Sequence, residues 1–247
     1  MAKKILIFCL IILILCISFE HRTKASSSGT NYARGEIYWL IQRKWIGGKV
    51  TFANPNPDYI ASSNLGHINQ TLWVITNNGN LVQDSVTGQY TYTWVEVGYT
   101  RGWSTSPSSY DPNVRSLYTA VERPVGGIGY YSERLSPWPV GNPGTVHNYV
   151  ILYDNSQGVW KVYIDEYYDS YSTQPLYAQN ISIGLEDADI NGTSASEVKL
   201  QNMGYYYEGQ GWYSYGLANP HITNTDPNHY YFEYTNSAED AAKDGKY

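Results

Sequence analysis

Between Tyr90 and Tyr99 the chain alternates strictly, Tyr-Thr-Tyr-Thr-Trp-Val-Glu-Val-Gly-Tyr, and a two-residue period predicts a β-strand. Tyr90, Tyr92, Trp94 and Glu96 then share one face, while Thr91, Thr93, Val95, Val97 and Tyr99 line the other. The first face has the makings of a site and the second of a core. A carboxylate in mid-strand usually sits in half-buried surroundings, so Glu96 is an exposed strand glutamate, one solvated in a cleft, or one held there for chemistry.

Shorter alternating runs follow the same rule at Lys49 to Ala53, Gln70 to Thr76, Arg115 to Glu122, His147 to Tyr153, Val159 to Asp165, Asn180 to Leu185, Ser196 to Gln201 and Tyr230 to Tyr234. Turn residues bound each run. Asn77-Asn78-Gly79-Asn80 and Asp154-Asn155-Ser156-Gln157-Gly158 supply the positive φ angles that hairpins need. The second of these predicts an antiparallel pair of Tyr149–Tyr153 with Val159–Tyr163. Ile37-Tyr38-Trp39-Leu40-Ile41 favours an added strand over a leader, and the Pro-rich stretch from Ser136 to Gly144 reads as a surface loop. No long segment has helical period; Ser237 to Lys246 reads as a polar tail that forms a short helix or frays. Many short strands without intervening helices predict an all-β fold, a single antiparallel two-sheet β-sandwich of the jelly-roll kind, over residues 26–236, with a polar tail at 237–247.

The N-terminus changes the picture of where this domain works. Lys3 and Lys4 precede an apolar run from Ile5 to Phe19, and Ser-Ser-Ser follows Ala25, the pattern of an export signal over residues 1–25. The expected localisation is secreted, with no stable membrane insertion once the signal is cleaved. Both cysteines, Cys9 and Cys16, fall in that segment, so the mature chain has neither disulfide nor thiol nucleophile. Removing Lys3, Lys4, Arg22 and Lys24 together with Glu20 from the chain's 16 basic and 22 acidic residues leaves a formal net charge of about −9. Nucleic acid is a poor partner for such a surface. Sparse charge with abundant Tyr, Trp, Gly, Asn, Ser and Thr suits an extracellular protein that handles polypeptide or polysaccharide.

The scattered histidines, His67, His147, His221 and His229, have no second ligand at metal spacing. There is no nucleophile elbow and no phosphate loop. No metal or cofactor is implied, and carboxylate chemistry remains, with Glu96, Glu122 and Glu197 as the strand candidates. Two carboxyls at one site titrate unequally, one staying protonated while the other acts as base.

Gly48 to Pro55, Trp73-Val74-Ile75, Val95 to Tyr99, Leu117 to Pro124 and Ala195 to Val198 follow one another in an order that resembles the glutamic peptidases of the eqolisin and neprosin kinds, which have concanavalin A-like β-sandwich folds. Gly48-Lys49-Val50-Thr51-Phe52-Ala53-Asn54-Pro55 is similar to their early strand and Trp73-Val74-Ile75 to the next. Val95-Glu96-Val97-Gly98-Tyr99 falls where that family has its first catalytic residue, and Glu96-Val97-Gly98 matches the neprosin-like Glu-x-Gly setting. Leu117 to Pro124 is similar to the Trp-Tyr-Glu-x-x-Pro region, and Ala195-Ser196-Glu197-Val198 to the strand bearing the catalytic glutamate. This chain departs from the pattern in having Ser196 before Glu197, no tryptophan after it, and no disulfides. The resemblance implies an acid endopeptidase with Glu197 as general base and Glu96 as its protonated partner, on neighbouring inward strands of one sheet. Trp73, Tyr92, Trp94, Tyr118 and Glu122 would contact substrate.

Two other readings fit the same residues. A noncatalytic glycan- or wall-binding lectin-like domain needs only the aromatic face, and would use Tyr205 to Tyr207, Trp212, Tyr213 and Tyr215, which otherwise serve as cross-strand packing. A jelly-roll glycoside hydrolase also uses two carboxylates, and Asp165-Glu166-Tyr167-Tyr168 partly echoes a xylanase nucleophile strand.

Overall fold

Each alternating run has one apolar face to bury, and pairing it in a sheet satisfies its backbone at the same time. The computed structural model describes residues 30–38, 44–61, 66–76, 81–85, 88, 90–104, 110–125, 128–171, 177–188, 193–218, 220–236 and 241–246. The expected export signal and the turn at Asn77–Asn80 lie outside them. The strands are β1 (Asn31–Tyr38), β2 (Trp45–Ala53), β3 (Ile68–Ile75), β4 (Val82–Asp84), β5 (Tyr90–Thr91), β6 (Trp94–Ser104), β7 (Tyr110–Val125), β8 (Ile128–Leu135) and β9 (Val146–Asp154). They continue with β10 (Val159–Ile164), β11 (Tyr167–Tyr171), β12 (Asn180–Asp187), β13 (Val198–Tyr207), β14 (Gly211–Ser214), β15 (His221–Asn224), β16 (Tyr230–Asn236) and β17 (Ala241–Lys246).

Nine strands form the larger sheet in the order β15-β1-β12-β3-β6-β7-β8-β4-β5. The smaller sheet runs β11-β10-β9-β2-β13-β17-β16, with β14 paired to β13. All pairs are antiparallel except the short contact of β4 with β8. The architecture is the jelly-roll β-sandwich that the alternation predicts, and the β9–β10 hairpin closes at Asp154–Gly158 as expected.

The inner faces build one core. Leu72, Val74, Val95, Val97, Val121, Ile181 and Ile183 of the larger sheet meet Val50, Phe52, Tyr149, Ile151, Trp160 and Val162 of the smaller. Burying each such side chain stabilises the fold by about 1.5–3 kcal/mol. Gly48 brings the sheets together, because a Cβ there would stand 2.7 Å from Ile181 Cγ2. Phe52 and Tyr149 stack with ring centroids 4.2 Å apart.

Two sequence expectations change. The run from Tyr90 to Tyr99 is broken at Tyr92 and Thr93: β5 pairs with β4 at the sheet's edge, whereas β6 pairs with β3 and β7 at its centre. Thr93 turns inward there, sharing a 2.9 Å hydroxyl hydrogen bond with Thr76, and this local bond interrupts the ladder. The polar segment expected as a tail contains β17, an internal strand between β13 and β16. It buries Ala242 and Asp244, so the sandwich reaches residue 246 rather than ending at 236. Pairing on both sides outweighs the segment's weak apolar pattern.

Asp244 belongs to a polar network inside the core. Tyr59 Oη donates to Gln70 Oε1 at 2.7 Å, and Gln70 Nε2 donates to Asp244 Oδ2 at 2.8 Å. Burial pushes the Asp244 carboxyl up to about 8, against about 3.9 in an unfolded chain. Between those values the native state holds a proton that the unfolded chain has released, so this group's contribution to stability falls as pH rises from about 4 to about 8. Asp244→Asn keeps the shape without the ionisation. Thermal melts should show the variant gaining stability over the parent at pH 8, with little difference near pH 4; equal shifts at both pH values would refute the assignment.

Candidate active site

On the larger sheet, the alternation that sends Val95, Val97 and Tyr99 into the core sends Trp94, Glu96, Gly98 and Thr100 to the opposite face. The antiparallel register carries that face across the sheet. One row reads Glu36, Ser182, Trp73, Glu96, Ala120 and Glu133. The next reads Arg34, Gly184, Thr71, Gly98 and Tyr118, and the one beyond it Tyr32, Glu186, Asn69, Thr100 and Ser116. On the other side of Glu96 lie Asn180, Ile75, Trp94, Glu122 and Tyr131. Five glutamates therefore share one face with five aromatic rings.

Glu96 is only 4% exposed. Thr71 Oγ1 donates to its Oε1 at 2.8 Å, and Tyr118 Oη donates to the same oxygen. Among the described residues no donor reaches Oε2. Burial pushes the carboxyl well above the usual carboxylate range, the charge of Glu186 adds to this, and the two hydroxyls oppose it. Glu133 is also raised, chiefly by burial, with Glu186 adding to the shift and His67 opposing it. Its Oε2 accepts from Tyr131. Glu186 accepts from Asn69 Nδ2 at 3.2 Å. In a flat sheet β12 and β8 would lie about 19 Å apart, yet Glu186 of β12 and Glu133 of β8 both act electrostatically on Glu96.

Trp73 packs edge-on to Tyr32 at 5.8 Å, and Trp94 packs edge-on to Tyr131 at 5.7 Å, so aromatic pairs flank Glu96 on both sides. Glu122 lies buried beneath Gly129, where a Cβ would stand 2.3 Å from its Oε1. Gly98 is required by the backbone: a Cβ there would stand 2.0 Å from the carbonyl oxygen of Gln70. That contact is a physical reason for glycine two residues after Glu96.

Of the residues expected at the site, Glu96, Trp73, Trp94, Tyr118 and Glu122 do share this face. Tyr92 does not, because it lies outside the strands and is exposed. Nor does Glu197 join Glu96. It precedes β13 in the smaller sheet, its side chain is 40% exposed, and it meets Lys243 Nζ at 3.2 Å and Tyr231 Oη at 3.2 Å. The Lys243 ammonium holds its carboxyl below the ordinary value. The core lies between the two glutamates, so the expected arrangement on neighbouring strands of one sheet does not hold.

The residues missed were Arg34, Glu36, Glu133 and Glu186. For Glu186 the signal was present in Ile181-Ser-Ile-Gly-Leu-Glu, where Ser182, Gly184 and Glu186 alternate with apolar residues. Among the described residues no group of three or more His, Cys, Asp or Glu could hold a metal ion. The sequon asparagines Asn69 and Asn180 are buried in strands, and Asn191 lies outside the described residues.

No protein-family model and no curated protein matches the chain. Among solved structures it is similar to CG-16, a homodimeric agglutinin from chicken liver, at 11% identity and TM-score 0.31, covering 68% of this chain and 98% of that one. A Bacillus licheniformis β-glucanase is similar at 15% identity and TM-score 0.32, over 61% of this chain and 58% of that one. The CBM40 of a Ruminococcus gnavus IT-sialidase, bound to α2,3-sialyllactose, matches at 10% identity and TM-score 0.28, over 57% of this chain and 65% of that one. Similarity at this level says nothing about what the glutamate face binds.

Tyr118→Phe removes one of the two hydroxyl donors that favour the ionised form of Glu96. The Glu96 titration, followed by carboxyl carbon NMR, should move to higher pH in this variant; a downward or absent shift would show that the contact does not govern the carboxyl.

Proposed function

We propose that the protein is an extracellular acid hydrolase of the glutamic-peptidase kind, in which Glu96 is the protonated partner and Glu186 the base. The observation that carries this reading is the orientation of Glu96. With Thr71 and Tyr118 both donating to Oε1, the proton of the neutral carboxyl sits on Oε2, the oxygen left for a ligand.

A peptide carbonyl that accepts from Glu96 Oε2 becomes a better electrophile. Glu186 in its ionised form takes a proton from water as the water oxygen bonds to the carbonyl carbon, and Glu96 stabilises the oxyanion. The proton on Glu186 then passes to the amide nitrogen, the C–N bond breaks, and an acid and an amine leave. Glu133, raised chiefly by burial and joined to Tyr131, keeps its proton to higher pH than an ordinary glutamate. Trp73 and Trp94 bracket the extended chain.

Flanking ring pairs also favour a second reading, a face that binds or cleaves glycan, because sugar rings stack on aromatic faces. Purified protein should be offered an unstructured protein and insoluble or soluble polysaccharides from acidic to neutral pH. Proteolysis should appear at acidic pH and fall as pH rises through the raised value of Glu96, because only its protonated form donates. Glu186→Gln should lower kcat by roughly 10²–10⁴-fold. Glu96→Gln should retain activity within roughly tenfold, since an amide still donates, and should lose the decline toward neutral pH. Absence of proteolysis at every pH, with retention on polysaccharide that Trp73→Ala weakens, would replace the peptidase reading with the glycan one.

A further inference from the structure

Arg34 is the one arginine or lysine in the rows of residues around Glu96, His221 extending the Glu36 row on β15. Its guanidinium lies over the ring of Tyr32 at 4.2 Å and the ring of Trp73 at 5.0 Å. Its Nε stands 2.8 Å from Glu36 Oε1. Glu36 is held in turn by Thr223 Oγ1 on β15 and by Ser182 Oγ at 3.4 Å. The fork is therefore fixed on three sides, while among the described residues neither terminal nitrogen has a hydrogen-bond partner. The side chain is one-fifth exposed, with a relative accessibility of 20%, so those nitrogens are not sealed in the core.

Gly184 lets β1 and β12 close tightly beside Arg34. Across β12 its neighbour is Gly184, with φ of +151°, where a Cβ would meet the Ala33 carbonyl oxygen at 2.3 Å and Arg34 Cα at 2.7 Å. Two residues on stands Glu186, and beyond Gly184 in the same row come Thr71 and Gly98. A guanidinium whose two terminal nitrogens have no partner among the described residues, one register row from Glu186, is suited to a planar anion.

We propose that Arg34 is the specificity residue of this face and that the substrate carries a carboxylate close to the cleaved bond. This rests on the peptidase reading for the position of that bond, with an Asp or Glu side chain as the source of the carboxylate. Glu36 and the two rings preorganise the fork. A uronate would offer the same chemistry on a glycan.

The test is equilibrium binding of the full protein at neutral pH. Two blocked oligopeptides that differ only in Glu or Gln at one position are compared, alongside polygalacturonate and a neutral glucan. The Glu peptide should bind roughly tenfold more tightly than its Gln partner, the preference should vanish in Arg34→Gln, and Arg34→Lys should retain part of it. Because Arg34→Gln leaves Glu36 without its cation, the double variant Arg34→Gln/Glu36→Gln supplies a neutral pair that folds without that charge. No preference in the parent protein, or a preference that persists in either neutral variant, would overturn the proposal. Preference for polygalacturonate over glucan without any for the Glu peptide would reassign the carboxylate to a glycan and overturn the peptide source. Acid proteolysis without the preference would remove this inference and leave the hydrolase reading standing. Preference without proteolysis would do the reverse.

Discussion

Taking carboxyl groups out of water is the constraint around which this molecule is arranged. A lone ionised carboxylate in an apolar setting costs many kcal/mol, and a protein avoids that by pairing the charge, hydrogen-bonding it or keeping it neutral. The larger sheet uses all three. Glu36 has a cation in Arg34 and hydroxyls from Ser182 and Thr223. Glu186 has the Asn69 amide. Glu96 and Glu133 have tyrosine hydroxyls and stay protonated to higher pH than usual.

That division of partners has a chemical result. Had a lysine or arginine faced Glu96, its carboxyl would have been held ionised, as Glu197 is by Lys243. Facing neutral hydroxyls and another glutamate instead, it becomes an acid able to donate. The guanidinium of Arg34 meets Glu36 through Nε, and among the described residues its outer nitrogens have no partner. Glu96, Glu186 and Arg34 thus occupy separate places on one surface, with Gly184, Gly98 and Ala120 among them.

The inner face obeys the same rule differently. Asp187 sits among Thr193, Tyr230 and Lys246, with Oδ2 accepting from Thr193 Oγ1 at 2.5 Å, Tyr230 Oη at 2.8 Å and Lys246 Nζ at 3.5 Å. Asp244 has Gln70. Both pairings tie the C-terminal strands to the middle of the larger sheet, so the last residues of the described chain help to hold the sandwich closed.

The all-β class, the two-sheet arrangement, the β9–β10 hairpin and the position of Glu96 opposite a core face were all readable from period-two alternation, because side-chain direction in a strand is a local property. Trp94 was placed with Glu96 by the alternation and Trp73, Tyr118 and Glu122 through motif resemblance, and the register puts all four on that face. What the sequence could not determine was which distant strands bring further carboxyls to the face of Glu96. Glu186 and Glu197 both lie near the ends of alternating runs, and only the strand order puts β12 two places from β6 while sending β13 to the other sheet. Arg34 and Glu36 were hidden because β1 alternates with Ala33 and Gly35, residues too small to mark an apolar face. β17 was hidden because its stability comes from pairing on both sides rather than from its own composition. Local chemistry set which way each side chain points; only the tertiary pairing of strands decided which of them meet.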